Sequence, residues 1–139
     1  MSHYMNLIGK NARKASVEKI NSKIKNKILK KYASLIDKEK NSILKANAKD
    51  INFALKKNLK DNLVDRLILN QKKLNDIKNS IKKIIKLKDP IDNTLEKWSR
   101  PNGLKINRVS IPIGVIGVIY ESRPNVTSDV ASLCFKSGN

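Results

Sequence analysis

IPIGVIGVIY, residues 111–120, is the stretch that decides the fold of this 139-residue chain, because Ile and Val fill most of it. A continuous run of β-branched residues is typical of a strand that is buried on both faces of a parallel sheet. The polar loop YESRPN follows at residues 120–125, and a helical pattern then runs from Pro124 to Ser137. Gly138 is a natural residue to end that helix. A strand, a turn and a helix make up most of a βαβ unit, so we expect another parallel strand to follow.

The chain before Pro90 is dominated by helical periodicity. Apolar side chains recur there at the spacing of amphipathic helices, and no proline interrupts them. Asn70 precedes the last long stripe, and Asp89-Pro90 ends it because the residue before a proline avoids the α region. We interpret the stripes as core positions; they run over residues 20–36, 43–55 and 74–85, with a short helical turn at 63–68.

After Pro90 comes a polar connection, and apolar residues then return at Leu104, Ile106 and Val109. Period two or solid apolarity replaces the helical period here, which indicates strands. The sequence therefore predicts an α/β fold in which N-terminal helices lead into the first strand and helix of a sheet that is incomplete in this chain.

The charge of the chain is strongly basic, with 30 Lys and Arg against 12 Asp and Glu, for a net charge of +18. Such a balance suggests nucleic acid or an anionic surface as a partner. Most of the excess, however, is single Lys residues scattered around predicted helices, whereas nucleic-acid sites favour Arg and aromatic side chains. We interpret the excess charge as Lys residues on solvated helix faces, where codon drift has accumulated them. We therefore expect no nucleic-acid partner. A basic helical nucleic-acid-binding module is kept as an alternative function.

The N-terminus, MSHYMNLIGKNARKAS, lacks the apolar core of a secretory signal, and no run approaches the ~18 apolar residues of a membrane span. We therefore expect a cytoplasmic protein with no membrane partner. Cys134 and His3 are the only cysteine and histidine. A single cysteine cannot form a multi-cysteine metal site, and a single histidine at the N-terminus cannot serve a Ser-His-Asp arrangement. We therefore expect no metal.

Six short motifs occur in order along the chain. They are LKANAKDI at 44–51, DRLIL at 65–69, LKDP at 87–90, GVIGVIYESRPNVT at 114–127, ASLC at 131–134 and KSGN at 136–139. Through these motifs the chain closely resembles, over essentially its whole length, the γ-glutamyl phosphate reductases, a branch of the aldehyde dehydrogenase superfamily. The resemblance implies the N-terminal third of a longer enzyme.

The resemblance also implies an organisation. Residues 1–90 correspond to N-terminal amphipathic helices of a cofactor domain, and residues 91–139 to the start of its Rossmann-like sheet, with a connection, strands, the RPN loop and a helix. The catalytic domain is expected to be absent from this chain. Gly114 and Gly117 do not form the GxGxxG fingerprint of dinucleotide sites. The superfamily binds nicotinamide cofactors without it, and the implied cofactor is NADPH.

The family activity is the reduction of L-glutamyl 5-phosphate to L-glutamate 5-semialdehyde and phosphate in L-proline biosynthesis. A cysteine thiolate attacks the acyl carbon, phosphate leaves, and NADPH supplies hydride to the thioester. That cysteine is expected beyond residue 139, so this chain alone should be inactive. The resemblance further implies a homo-oligomer and channelling of substrate from glutamate 5-kinase. The alternatives are an inactive truncated remnant and another acyl-reducing aldehyde dehydrogenase.

The best candidate site is the loop at 120–125, because ligands bind at the carboxyl ends of strands in open α/β sheets. By resemblance, Asn125 matches the asparagine whose amide stabilises the oxyanion on the substrate carbon. Arg123 can offer a bidentate guanidinium to the acyl phosphate or to the α-carboxylate of the substrate. An alternative for Arg123 is an ion pair with Glu121 or Asp129 that holds the turn.

Three further residues of the region belong to this candidate site. Ser122 and Thr127 can act as hydroxyl donors to a ligand, although Thr127 can also cap the following helix, and Tyr120 opens the loop. Cys134 lies in the apolar sequence ASLCF within that helix. A cysteine in this position is more often a small buried hydrophobe than a nucleophile, so we assign it a structural role.

Overall fold

A computed structural model describes residues 3–121 and 123–139, and six helices and two strands occur in this part of the chain. Their bounds are α1 His3–Ser16, α2 Ser22–Lys38, α3 Lys40–Lys56, α4 Asp61–Leu67, α5 Gln71–Lys86, β1 Thr94–Ser99, β2 Lys105–Val109 and α6 Pro124–Ser137. The two strands form an antiparallel hairpin in which Trp98 lies opposite Ile106. The observed architecture is therefore a helical layer followed by a small hairpin and a last helix.

The hydrophobic core lies between α2 and α5, and α6 packs against both helices. Ile81 at its centre is 0% exposed, and Phe135 of α6 packs onto the edge of the core. Burial of an aliphatic side chain of this size contributes about 1.5–3 kcal/mol. The stripes predicted at 20–36 and 74–85 are confirmed as core positions; their buried members are Leu29, Ala33, Ile36, Leu74, Ile77, Ile81 and Ile84.

The helix ends follow the local chemistry of the sequence. The Asn21 side chain accepts a hydrogen bond from the backbone N–H of Ile24 at 2.9 Å and so caps α2. Asn70 caps α5 in the same way through the N–H of Lys73 at 2.8 Å, which confirms the predicted start of this helix. Gly138 ends α6 as predicted, with a φ of +74° that favours glycine. A Cβ at this position would also lie 3.0 Å from the end of the Ile91 side chain, which would have to move by a few tenths of an ångström.

A buried ammonium group joins three parts of the fold. Lys25 of α2 is 2% exposed, and its Nζ lies 3.1 Å from a carboxylate oxygen of Asp89, just after α5. The same Nζ donates to the backbone carbonyl of Lys136 in α6 at 3.2 Å. Lys136 is itself buried and donates from its Nζ to the Asn26 side chain at 2.7 Å. Because a buried charge without partners is very costly, these bonds fix how α2, the end of α5 and the end of α6 meet.

Asn47 is a polar residue within the predicted apolar stripe at 43–55, and it is 5% exposed. Its side-chain amide donates to the Leu67 carbonyl at 2.9 Å and accepts from the Leu69 N–H at 2.8 Å. These two bonds satisfy the backbone groups of the turn between α4 and α5. Asn47 therefore holds that turn against α3.

The segment at 111–120 differs from the strand that the sequence predicts. It is assigned no strand, because none of the described segments forms a hydrogen-bonded ladder with it. Its apolar side chains are largely exposed, with Ile113 at 87% and Ile119 at 102%. Two bonds from described residues attach it to α6 and its end: the Gly114 N–H donates to the side chain of Asn139, just after α6, at 2.9 Å, and the hydroxyl of Tyr120 lies 2.6 Å from that of Thr127 in α6. The run thus has the composition of a buried strand without a neighbouring strand in this structure.

Two other elements were not predicted. β1 forms in the region that the sequence analysis treated as a polar connection, because cross-strand pairing with β2 supplies its hydrogen bonds. α1 forms in the polar N-terminal segment, although none of its residues is buried. No residue of α1 or β1 is buried, so neither element contributes a side chain to the core.

The surface of the helical layer carries most of the Lys residues. Lys78 of α5 donates to Asp37 of α2 at 2.6 Å, and this hydrogen bond holds the pKa of the Asp37 carboxyl below its usual value. Among residues 3–121 and 123–139, none of the helices is sufficiently long and apolar to cross a bilayer.

We expect the change Asp89→Asn to lower the free energy of unfolding by about 3 kcal/mol, because it leaves the buried Lys25 ammonium without its counter-charge. The measurement is urea unfolding followed by far-ultraviolet circular dichroism. Glu96→Gln is the matched control, since Glu96 forms an exposed pair with Arg108 at 3.4 Å. The control should change stability by less than about 1 kcal/mol. Equal losses in the two variants would contradict the assigned role of Lys25.

Candidate functional site

The candidate loop leads directly into α6. Pro124 occupies the first turn of the helix, where its missing N–H costs nothing, and Arg123 before it is extended, as the residue before a proline prefers. The N-cap residue Arg123 makes no side-chain hydrogen bond to the first turn of α6 among the described residues. Asn125 therefore sits in the first turn with an exposed side chain, beside backbone N–H groups that lack intrahelical partners.

A side-chain hydrogen bond closes the loop onto the helix. The hydroxyl oxygens of Tyr120 and Thr127 lie 2.6 Å apart, and either can be the donor. This contact joins the first residue of the loop to the first turn of α6. The structure thus gives Thr127 a partner within the protein, and Tyr120 and Thr127 act together in holding the loop.

Asn125 belongs to a hydrogen-bonded chain that begins on α5. Its amide nitrogen lies 3.3 Å from one carboxylate oxygen of Asp129, one helical turn further along α6. The hydroxyl of Ser80 on α5 donates to the other carboxylate oxygen at 2.9 Å. Because an asparagine amide has two N–H donors, the second N–H of Asn125 remains available to a ligand. Ser80 and Asp129 therefore set the direction of the Asn125 side chain.

A cavity of about 290 Å³ lies beside this chain, between the end of α4, α5 and the N-terminus of α6. We call it the Asn125 cavity. Its polar lining includes Arg66, Asp76, Ser80, Asn125 and Asp129, and its apolar lining includes Ile68, Leu69 and Ile77. Small-molecule sites in proteins are concave, mostly apolar and supplied with a few converging polar groups. The cavity has this composition.

Sequence analysis did not predict Arg66 and Asp76 as site residues. Arg66 lies in the DRLIL motif, which was quoted only for its resemblance, and Asp76 lies on the polar side of a core helix. The sequence contained one indication of a shared site: Asp76 and Ser80 are four residues apart and therefore lie on the same face of α5. The sequence does not reveal that this face meets α6.

The other predicted residues are distributed as follows. Arg123 is exposed and precedes α6, and within residues 3–121 and 123–139 it forms no ion pair with Glu121 or Asp129. Ser122 lies outside the described residues. The pairing alternative for Arg123 is thus not seen in the described part of the chain, and its proposed ligand role stays a prediction.

Cys134 is half-buried on α6, nine residues beyond Asn125. At the rise of an α-helix this separation is roughly 14 Å. Cys134 lines a different cavity, of about 630 Å³, together with Gly138 and Pro112. Cys134 is therefore not part of the Asn125 cavity. In the part of the chain that the structure describes, no three His, Cys, Asp or Glu residues form a group able to hold a metal ion.

The chain is similar to curated and solved proteins that share one name. It is 48% identical to the γ-glutamyl phosphate reductase of Nitratiruptor sp., over 100% of this chain and 33% of the relative. The crystal structure of γ-glutamyl phosphate reductase from Thermotoga maritima matches with a TM-score of 0.90 and 42% identity, over 94% of this chain and 32% of that chain. The Saccharomyces cerevisiae enzyme matches with a TM-score of 0.91 and 34% identity, over 100% and 36%. No protein-family model matches the chain.

These matches confirm the predicted resemblance and the fold. The structural neighbours are γ-glutamyl phosphate reductases at identities of 34% or more, so the fold is that of the aldehyde-dehydrogenase-like reductases. The chain spans about a third of the length of the curated relatives that it matches.

We expect Asp129→Ala to release the Asn125 side chain, because the variant removes the carboxylate to which the amide donates. A solvent-exposed hydrogen bond contributes about 1 kcal/mol, so hydrogen exchange of the Asn125 side-chain amide should accelerate about fivefold. Nuclear magnetic resonance measures this exchange directly. Asp76→Ala is the control, since Asp76 lines the same cavity and accepts no hydrogen bond from Asn125. Unchanged exchange in the Asp129 variant would contradict the positioning role.

Proposed function

We propose that this chain, which is similar to γ-glutamyl phosphate reductases over its whole length, forms part of an enzyme that reduces L-glutamyl 5-phosphate to L-glutamate 5-semialdehyde and phosphate. This reaction is a step of L-proline biosynthesis. The observation that supports the proposal most strongly is the similarity in sequence and structure along the whole chain. The family implies a nicotinamide cofactor, and we propose NADPH.

We propose that the described residues belong to the cofactor domain, with the N-terminal helices at 1–90 and the start of its Rossmann-like sheet at 91–139. Gly114 and Gly117 leave open space beside the backbone, because a Cβ built at either residue meets no described atom within 4 Å apart from its chain neighbours. NADPH supplies hydride when it is bound. The reactive thiol is assigned to a segment outside residues 1–139, since Cys134 lies away from the Asn125 cavity.

Asn125 is the proposed oxyanion donor. When a nucleophile adds to the acyl carbon, negative charge develops on the acyl oxygen, and a preorganised N–H at that point stabilises it. Asp129 holds one N–H of Asn125 and leaves the other for this role. The charge does not have to reorient the amide, because the Ser80–Asp129–Asn125 chain has already set its direction.

Arg123 is proposed to bind the phosphate of the acyl phosphate through its guanidinium, which matches phosphate oxygens in a bidentate manner. Ser122 and Thr127 are proposed as further hydroxyl donors. Tyr120 contributes indirectly, since its hydroxyl lies against that of Thr127. A cytoplasmic homo-oligomer that receives its substrate from glutamate 5-kinase completes the proposal.

The proposal is tested on the protein that carries this sequence, purified from its natural source and identified by its N-terminal peptides. The assay follows NADPH oxidation in the presence of L-glutamyl 5-phosphate, and intact mass is measured on the same sample. Turnover that requires both compounds would support the proposal. A purified, folded protein that oxidises no NADPH would overturn it and favour an inactive remnant.

We expect Asn125→Ala to lower kcat about 10²–10³-fold and to change KM much less, because the amide acts on charge that appears in the transition state. The measurement is the same NADPH assay over a range of L-glutamyl 5-phosphate concentrations. Asn79→Ala is the matched control: Asn79 is exposed on α5 and does not line the Asn125 cavity. A rise in KM with an unchanged kcat would contradict the assigned role.

We expect Cys134→Ala to leave kcat within about twofold of the parent value, because the residue packs within α6 and lies roughly 14 Å along the helix from Asn125. Its free energy of unfolding should fall by about 1 kcal/mol, as for a typical substitution of a partly buried residue. Steady-state kinetics and urea unfolding check the two expectations. Loss of turnover in a folded Cys134 variant would show that the thiol takes part in the reaction.

A further inference from the structure

Four charged residues of both signs line the Asn125 cavity, and two of them, Lys73 and Asp129, already have partners. Lys73 donates from its Nζ to the Ile68 carbonyl at 2.6 Å and to the Asp65 carbonyl at 3.3 Å. Asp129 accepts from Ser80 and Asn125. Lys73 thus binds the end of α4 and the residue after it, and Asp129 binds side chains on α5 and α6.

Two charges of the cavity lack such partners. Arg66, in the last turn of α4, and Asp76, in α5, are exposed residues that line the cavity. Neither forms an ion pair or a side-chain hydrogen bond with any of the residues at 3–121 and 123–139. One guanidinium and one carboxylate are therefore presented to the same small space without being neutralised by the protein.

A ligand that matches both charges has a carboxylate and an ammonium group close together. The planar guanidinium fork binds a carboxylate in a bidentate manner, and a carboxylate binds an ammonium through charge-assisted hydrogen bonds. The lining of the same cavity includes the apolar residues Ile68, Leu69 and Ile77. Such a wall suits a short methylene chain. The volume of about 290 Å³ is near the lower limit of small-molecule sites.

We propose that the Asn125 cavity binds the α-amino acid head of the substrate, with Arg66 on the α-carboxylate and Asp76 on the α-ammonium. The methylene chain then lies along the apolar wall and brings the acyl carbon to Asn125. Arg66 and Asp76 are specificity-determining residues and take no part in bond making. This inference rests on the proposed function for the identity of the reacting end, and the cavity alone supplies the head-group chemistry.

The kinetic test compares two acyl phosphates on the purified full-length enzyme. L-Glutamyl 5-phosphate carries the head group, and butyryl phosphate has an acyl chain without either charge. The measured quantity is the ratio of kcat/KM for the first substrate to that for the second. In Arg66→Leu and in Asp76→Asn this ratio should fall at least about tenfold, the effect of losing one hydrogen-bonded charge. A partly misfolded sample lowers both values and leaves the ratio unchanged.

Arg13→Leu and Asp50→Asn are the matched controls. Both residues are exposed, on α1 and α3, and neither lines the Asn125 cavity. Their ratios should stay within about twofold of the parent value. An unchanged ratio in an Arg66 variant whose circular dichroism and urea unfolding match those of the parent protein, with equal losses on both substrates, would overturn the proposal and assign Arg66 to the shared phosphate group.

A binding measurement separates this inference from the proposed function. L-Glutamate carries the head group without an acyl phosphate, and isothermal titration calorimetry measures its binding to the parent protein, with n-butyrate as the comparison ligand. Binding of L-glutamate that weakens at least about tenfold in Arg66→Leu supports the head-group site even if the enzyme reduces no acyl phosphate. Turnover of L-glutamyl 5-phosphate with an unchanged substrate ratio in both variants overturns the head-group site and leaves the proposed function standing. Absence of L-glutamate binding to the parent protein also counts against the site.

Discussion

The buried ammonium of Lys25 is the interaction on which the arrangement of the helices depends. It is 2% exposed and requires partners, which Asp89 and the Lys136 carbonyl provide from two different parts of the chain. The neighbouring Lys136 ammonium adds a bond to Asn26. Hydrophobic burial between α2 and α5 supplies most of the stabilisation, but it is not directional. The polar bonds determine where α6 lies on that core.

The position of α6 in turn creates the candidate site. Because α6 packs against α5, Ser80 meets Asp129 and Asp76 shares a cavity with Asn125. Lys25 acts at the C-terminal end of α6 and the Asn125 cavity lies at its N-terminal end. The helix α6 therefore connects the Lys25 contact at its C-terminal end with the Asn125 cavity at its N-terminal end. A small displacement of α6 would separate Asn125 from the cavity whose wall α4 and α5 form.

Sequence patterns predicted the helix ends, which depend on local chemistry, and the core stripes, which depend on burial along a single helix. The stripes at 20–36 and 74–85, the Asn70 cap and the Gly138 end of α6 are each encoded by residues close to one another in the chain. Prediction was wrong for the 111–120 segment, because a strand requires a hydrogen-bonded neighbour and none of the described residues provides one. β1 was missed because its pairing with β2 stabilises a sequence without a strong period.

The sequence by itself determined the helical periods, the helix ends, the loop before α6 and the family resemblance, since each is carried by neighbouring residues or by ordered motifs. Only the tertiary structure decided that Lys25 is a buried partner of Asp89, that Asn47 holds a turn, and that Arg66 and Asp76 face the cavity of Asn125. These roles join residues that are far apart in the chain. The sequence pattern of a charged or amide side chain is the same on a solvated surface and in a buried contact, because only packing determines which groups it meets.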